Sequence, residues 1–181
     1  MRCQTQPVYD SLTPPLNPVE IASCKQVLSN YTLRDRLLFS AMLNTGLSTK
    51  PLLALKYSDF LNDDLSPKNI LNTEIHSRHQ FEPITIGHRL YTDVLNAYQS
   101  EFPVLSTTDT YLFRNKARNS SGHDPISRAS LVKIVDKVFK EAGVPDTYNL
   151  TSLHSTFLHY YWGVQFFTDQ DVENKYMSFY I

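Results

Sequence analysis

Residues 149–163 read NLTSLHSTFLHYYWG. The stretch follows a helical run, Leu131 to Ala142, that stops at Gly143. It opens with Asn149, Thr151 and Ser152, short polar side chains suited to the free amides at a helix start. It then runs into a helix dense in aromatic residues: Phe157, Tyr160, Tyr161 and Trp162. Aromatic side chains dominate protein cores, so this cluster reads as core before it reads as a base-stacking platform. His154 and His159 are five residues apart and do not share a helix face well.

Working outward, the helix before this stretch is capped by Ser127 and buries Leu131, Ile134, Val135, Val138, Phe139 and Ala142. A polar loop, 115–124, separates it from Tyr111-Leu112-Phe113. Arg89 to Glu101 makes an amphipathic helix with Leu90, Val94, Leu95 and Tyr98 on one side. Two strands are expected at about 69–75 and 82–86, joined as a hairpin by HSRHQF. His76 and His79 in that turn lack a cysteine or carboxylate at metal-site spacing, so they read as a solvated turn. Towards the N-terminus, Asn17-Pro18-Val19-Glu20 starts a helix that should run to about Asn30. Thr32 caps another, with Leu33, Leu37, Leu38, Met42 and Leu43 at helical spacing and Gly46 at its end. Pro51 can start a third, carrying Leu52, Leu53 and Leu55.

The 181 residues suffice for one domain with a sizeable core. An apolar content of 41% against 19% charged describes a globular protein. Nothing approaches a membrane-spanning run, and MRCQTQPVYD lacks the apolar stretch of a secretory signal. Cys3 and Cys24 fit a reducing compartment, so a cytoplasmic protein is expected. The net charge of -1 works against a DNA-binding surface, which needs a cationic face. The expected organisation is an extended arm over 1–16, one domain over 17–165 and a tail over 166–181. The fold class is mainly α with a small antiparallel β-sheet (α+β).

Two stretches resemble the catalytic domain of the tyrosine recombinases, the phage integrase family. One is LTSLHSTF, where the family reads roughly H-x-L-R-[HK]-T-F and where Leu153, Thr156, Phe157, Tyr160 and Tyr161 match the framework. The other is NTGLSTKPLLALKYSDF, residues 44–60, where the family reads N-T-G-L-R-x-x-[ED]-L-L-x-L-x-W-x-D. There Asn44, Thr45, Gly46, Leu47, Leu52, Leu53, Leu55 and Asp59 match. The resemblance runs loosely from Asn17 to Phe157, where Tyr111-Leu112-Phe113 followed by Arg114 looks like a strand of the family, and it implies a role in DNA recombination and DNA integration.

The same resemblance puts the family's catalytic positions on the wrong residues. Ser48 stands for the first arginine, Pro51 for the neighbouring acid, His76 or Ser77 for the hairpin lysine, Thr151 for a histidine and His154 for the second arginine, with Ser155 beside it. Tyr176 sits where the nucleophile could be. The family chemistry clamps a pentavalent phosphate with permanently charged guanidinium forks. A serine and a histidine supply little of that charge, and Tyr176 without the clamp is an unactivated phenol. No catalytic residues and no cofactor or metal are therefore expected, and the chain reads as a pseudo-enzyme. Ser48 and Ser155 do not make a hydrolase either, since the acid–histidine order and the nucleophile elbow are missing.

Two functions of different class follow. A DNA-binding regulator of a mobile element would use the locally basic segment 109–140, with Arg114, Lys116, Arg118, Arg128, Lys133 and Lys137 against double-stranded DNA. The bland reading of the same residues is a solvated loop and helix face. Alternatively, an interaction module would dock its acidic, aromatic tail on another copy or on an intact recombinase. A rebuilt, active site using Tyr176 is the minority reading.

Overall fold

The computed structural model describes residues 13–68, 70–71, 84–85, 87–101, 107–115 and 123–165, with backbone alone at 84, 85, 101, 158 and 161–165. Among these residues six α-helices surround one core, with one small antiparallel sheet. The helices are α1 (Pro18–Leu28), α2 (Leu33–Thr45), α3 (Thr49–Ala54), α4 (His88–Glu101), α5 (Arg128–Glu141) and α6 (Leu150–Gln165). No helix among the described residues is long and apolar enough to cross a membrane.

The helix starts follow from their capping chemistry. Asn17 Oδ1 accepts from the amides of Val19 and Glu20, and Glu20 accepts in return from the Asn17 amide at 2.8 Å. This reciprocal box satisfies donors that the helix itself cannot. α1 runs to Leu28, close to the expected end at about Asn30, and beyond it the Ser29 and Asn30 amides bond the Gln26 and Val27 carbonyls three residues back. Thr32 caps α2, and Gly46 ends it at φ +60° with its amide on the Met42 carbonyl. α3 begins at Thr49, not at Pro51. Pro51 occupies its first turn, where a missing N–H costs nothing.

α2 is the central helix. Leu37, Leu38, Phe39, Ala41 and Met42 are all buried, so apolar contact reaches beyond the single face that the spacing predicts. The reason is that α4 and α6 both pack on it. α5 packs against α1, α3 and α6 and meets α2 through an edge-to-face pair, Phe39 and Phe139, 6.2 Å apart. The N-terminal segment closes the other side. Leu16, the last residue of the expected arm, is fully buried in the core. Its amide donates to Thr156 Oγ1 at 2.8 Å, and its carbonyl accepts from the Tyr160 hydroxyl.

The sheet is antiparallel as expected, and the remainder of the two expected strands lies outside the described residues. β1 (Ile70–Leu71) pairs with β2 (Ile84–Thr85) in the register Ile70–Thr85 and Leu71–Ile84. The turn between them lies outside the described residues. Tyr111 to Phe113 is not a strand. Tyr111 bridges to Lys56, and Arg114 bridges to Pro125. The Leu112 amide bonds the Leu55 carbonyl, while the Phe113 carbonyl takes the Ile126 amide. The segment changes partner at its middle, so neither ladder grows.

Candidate functional site

The two stretches that carry the family resemblance meet at one corner. α2 ends at Gly46, which is buried, and Ser48 holds the N-cap position of α3 two residues later, without a side-chain cap bond. Two peptide steps span at most roughly 7 Å, so Ser48 stands close to Gly46. α6 lies across this turn. The His154 Nδ1 atom donates to the Gly46 carbonyl, and the Phe157 ring lies against the face of Gly46 where any other residue would carry a Cβ. A carbonyl has no proton to give, so Nδ1 carries it. In the neutral ring Nε2 is then a lone-pair acceptor, the wrong polarity for a phosphate oxygen.

The remaining positions divide by exposure. Ser48 and Thr151 are exposed, His154 is half-buried, and Pro51 is buried. Thr151 lies in the first turn of α6, where its amide donates to Asn149 Oδ1 at 2.8 Å. The Asn149 amide in turn donates to Ser152 Oγ. Ser155 is 4% exposed, which places it inside the core and not at an attacking position. Ser77, His76, His79 and Tyr176 lie outside the described residues. Among the described residues no cluster of three or more His, Cys, Asp or Glu side chains is placed to hold a metal ion.

The basic segment is elsewhere. Arg128, Lys133, Lys137 and Lys140 are exposed along α5, while Arg114 is half-buried with its Nε enclosed. Lys116 and Arg118 lie outside the described residues. Lys137 Nζ stands 5.2 Å over the Tyr31 ring and 3.8 Å from Glu141 Oε1. The Tyr31 hydroxyl donates to Glu141 at 2.9 Å. Partial burial, then Glu141, push the Tyr31 phenol up to about 12. Lys133 and Lys137 therefore flank the start of α2, and Ser48 and His154 flank its end. A helix of 13 residues is roughly 20 Å long. The lysines and the corner are two separate surfaces.

Sequence reasoning missed the strap on α6. Ser152, Thr156 and Tyr160 recur every four residues, and the first two are buried. Thr156 also donates to the Ser152 carbonyl at 2.6 Å. A polar row on an otherwise apolar helix was the available signal, and its partner is Leu16, 140 residues away. Of the aromatic cluster, Phe157 is buried and Tyr160 packs against the core. The side chains of Tyr161 and Trp162 lie outside the described residues. His154 turns to Gly46 while His159 is exposed, with its ring 5.1 Å from that of Tyr160.

No protein-family profile and no curated protein matches this chain. Solved structures do match. The XerH site-specific recombinase bound to difH substrate, in a pre-cleavage complex, matches with a TM-score of 0.61 at 17% identity, over 83% of this chain and 43% of that one. The XerA recombinase matches at 0.63 and 19% identity, over 93% and 56%. XerH bound to palindromic difH substrate, in a post-cleavage complex, matches at 0.63 and 18%, over 89% and 45%. The chain thus spans about half the length of these recombinases. With helices, small sheet and corner in this order, the chain has the fold of a tyrosine recombinase catalytic domain.

Proposed function

We propose that this chain is a catalytically inactive, tyrosine recombinase-like protein that grips double-stranded DNA and regulates a mobile element. The observation that carries the reading is the engagement of His154. The residue at the family's arginine position has its Nδ1–H turned onto the Gly46 carbonyl, inside the protein. An arginine would present a permanent charge and five donors to a phosphate. Here the corner offers neutral hydroxyls at Ser48 and Thr151 and a half-buried imidazole. Losing one preorganised donor typically costs about 100- to 1000-fold in rate, and effects in one site do not simply multiply.

Duplex DNA enters as the ligand class because the XerH site-specific recombinase, which shares the fold, was solved bound to difH substrate. The exposed cations of α5 supply a surface for backbone contacts, which position a protein without reading sequence. Fluorescence anisotropy with duplex DNA from the gene's own neighbourhood, at low and physiological salt, tests the grip. Saturable binding that falls steeply with salt is expected. No binding at low salt would leave the interaction module, with an intact recombinase or a second copy as the partner to seek. Inactivity is tested separately with a nicked suicide duplex. A covalent protein–DNA adduct that disappears in Tyr176→Phe would overturn it.

A further inference from the structure

The turn between α2 and α3 is held from outside its own chain segment. Asn44 does not hold it, because its side chain turns back to the Ser40 carbonyl on α2 at 2.7 Å, and the Thr45 hydroxyl donates to the Ala41 carbonyl at the same distance. Ser48 makes no side-chain cap bond to α3. A local contact, from the Leu47 amide to Thr45 Oγ1, is 3.3 Å long. Besides the Gly46 amide on the Met42 carbonyl and Leu47 packed against the core, support comes from α6, 108 residues along the chain, through His154 on the Gly46 carbonyl and Phe157 on the Gly46 Cα face. The two contacts grip the same residue from different sides. Gly46 can accept them because it tolerates φ +60° and carries no Cβ.

We propose that His154 is a positioning residue: its Nδ1–H bond to Gly46, backed by Phe157, latches the 46–48 turn to α6 and so sets where Ser48 and the start of α3 stand. The arrangement has two chemical consequences. The bond persists whether the ring is neutral or protonated, since both forms carry the Nδ1 proton. And an arginine at 154 would keep the latch only by turning a guanidinium N–H onto the Gly46 carbonyl, a donor then not offered to a phosphate. The inference goes beyond the DNA-binding reading, because it holds for the free protein whether or not it binds DNA.

Long-range ¹H–¹⁵N correlation of the wild-type chain at about pH 8, where an ordinary imidazole is neutral, tests the tautomer directly. A protonated Nδ1 and an unprotonated Nε2 on His154 are expected, and the opposite tautomer overturns the latch. Amide exchange tests the positioning. The amide nitrogen of asparagine stands where Nδ1 stands, and that of glutamine where Nε2 stands. His154→Leu and His154→Gln should speed exchange across residues 47–55 by about 3- to 10-fold, the scale of one hydrogen bond, with α4 and α5 unchanged. His154→Asn should return it to near wild type. Equal behaviour of Asn and Gln, or no change in Leu, would refute the positioning role. If the leucine variant does not fold, the wild-type tautomer and the Asn–Gln contrast still decide.

Discussion

At Gly46 a single hydrogen atom in place of a side chain decides whether two helices can meet. Its φ of +60° is strained for any residue with a Cβ, and that Cβ would overlap the Phe157 ring. Gly46→Ala is therefore expected to destabilise by about 3 kcal/mol or more, adding left-handed strain to overpacking. Urea denaturation would measure it, and an effect near zero would show that Phe157 can move aside. Cys24 gives a second residue-scale test. It is fully buried, and burial, with Glu20 nearby, pushes its thiol up to about 12. The folded state holds this proton more tightly than the unfolded chain does. The stabilisation is complete below about pH 9 and is lost as pH rises towards 12. Stability should fall over that window, and Cys24→Ala should flatten part of the slope. The same burial should make Cys24 slow to alkylate until the protein unfolds.

At the scale of elements, α6 is tied down on two sides. One side holds the 46–48 turn; the other takes the incoming chain through Thr156 and Tyr160 on Leu16. Thr156→Val keeps the shape and removes the acceptor, leaving the buried Leu16 amide unpaired, at a cost of about 1–3 kcal/mol. Leu16→Ala should cost about 2–5 kcal/mol as a large-to-small core change. Thermal or denaturant unfolding would read both. Wild-type stability in either variant would mean that the domain begins at Asn17 after all. α5 carries a different test. Its exposed Lys133 and Lys137 do not touch the corner, so Lys133→Ala with Lys137→Ala should weaken DNA binding without changing the 46–48 turn. The salt slope should become shallower by about 0.9 for every phosphate these lysines neutralise. Unchanged affinity and slope would remove α5 from the interface.

For the molecule as a whole, near-neutral charge sets the expectation. A net charge of -1 gives little non-specific electrostatic pull, so the proposed DNA binding would draw on a defined surface, DNA shape or assembly. Ser48→Arg with His154→Arg restores two charges by name only. No covalent adduct on a nicked duplex is expected from that double variant, whereas an adduct would show that the corner needs charge alone.

The order of the helices was legible in the chain because capping and periodicity are local. Asn17 with Glu20, Thr32, Gly46 and Ser127 mark their helix ends wherever the chain goes. The family likeness was legible for a related reason: framework residues such as Gly46 and Phe157 are what the packing of α2 on α6 demands. The divided Tyr111–Phe113 segment was not, since whether a strand grows depends on which neighbour is within reach. Nor was the role of His154. A histidine at an arginine position reads only as missing charge until α6 is laid over the turn. Local chemistry wrote the elements into the sequence. Contacts such as Leu16 to Thr156 and Gly46 to His154, 140 and 108 residues apart, exist only once the core has closed, so the closed core alone decided what the corner is made of.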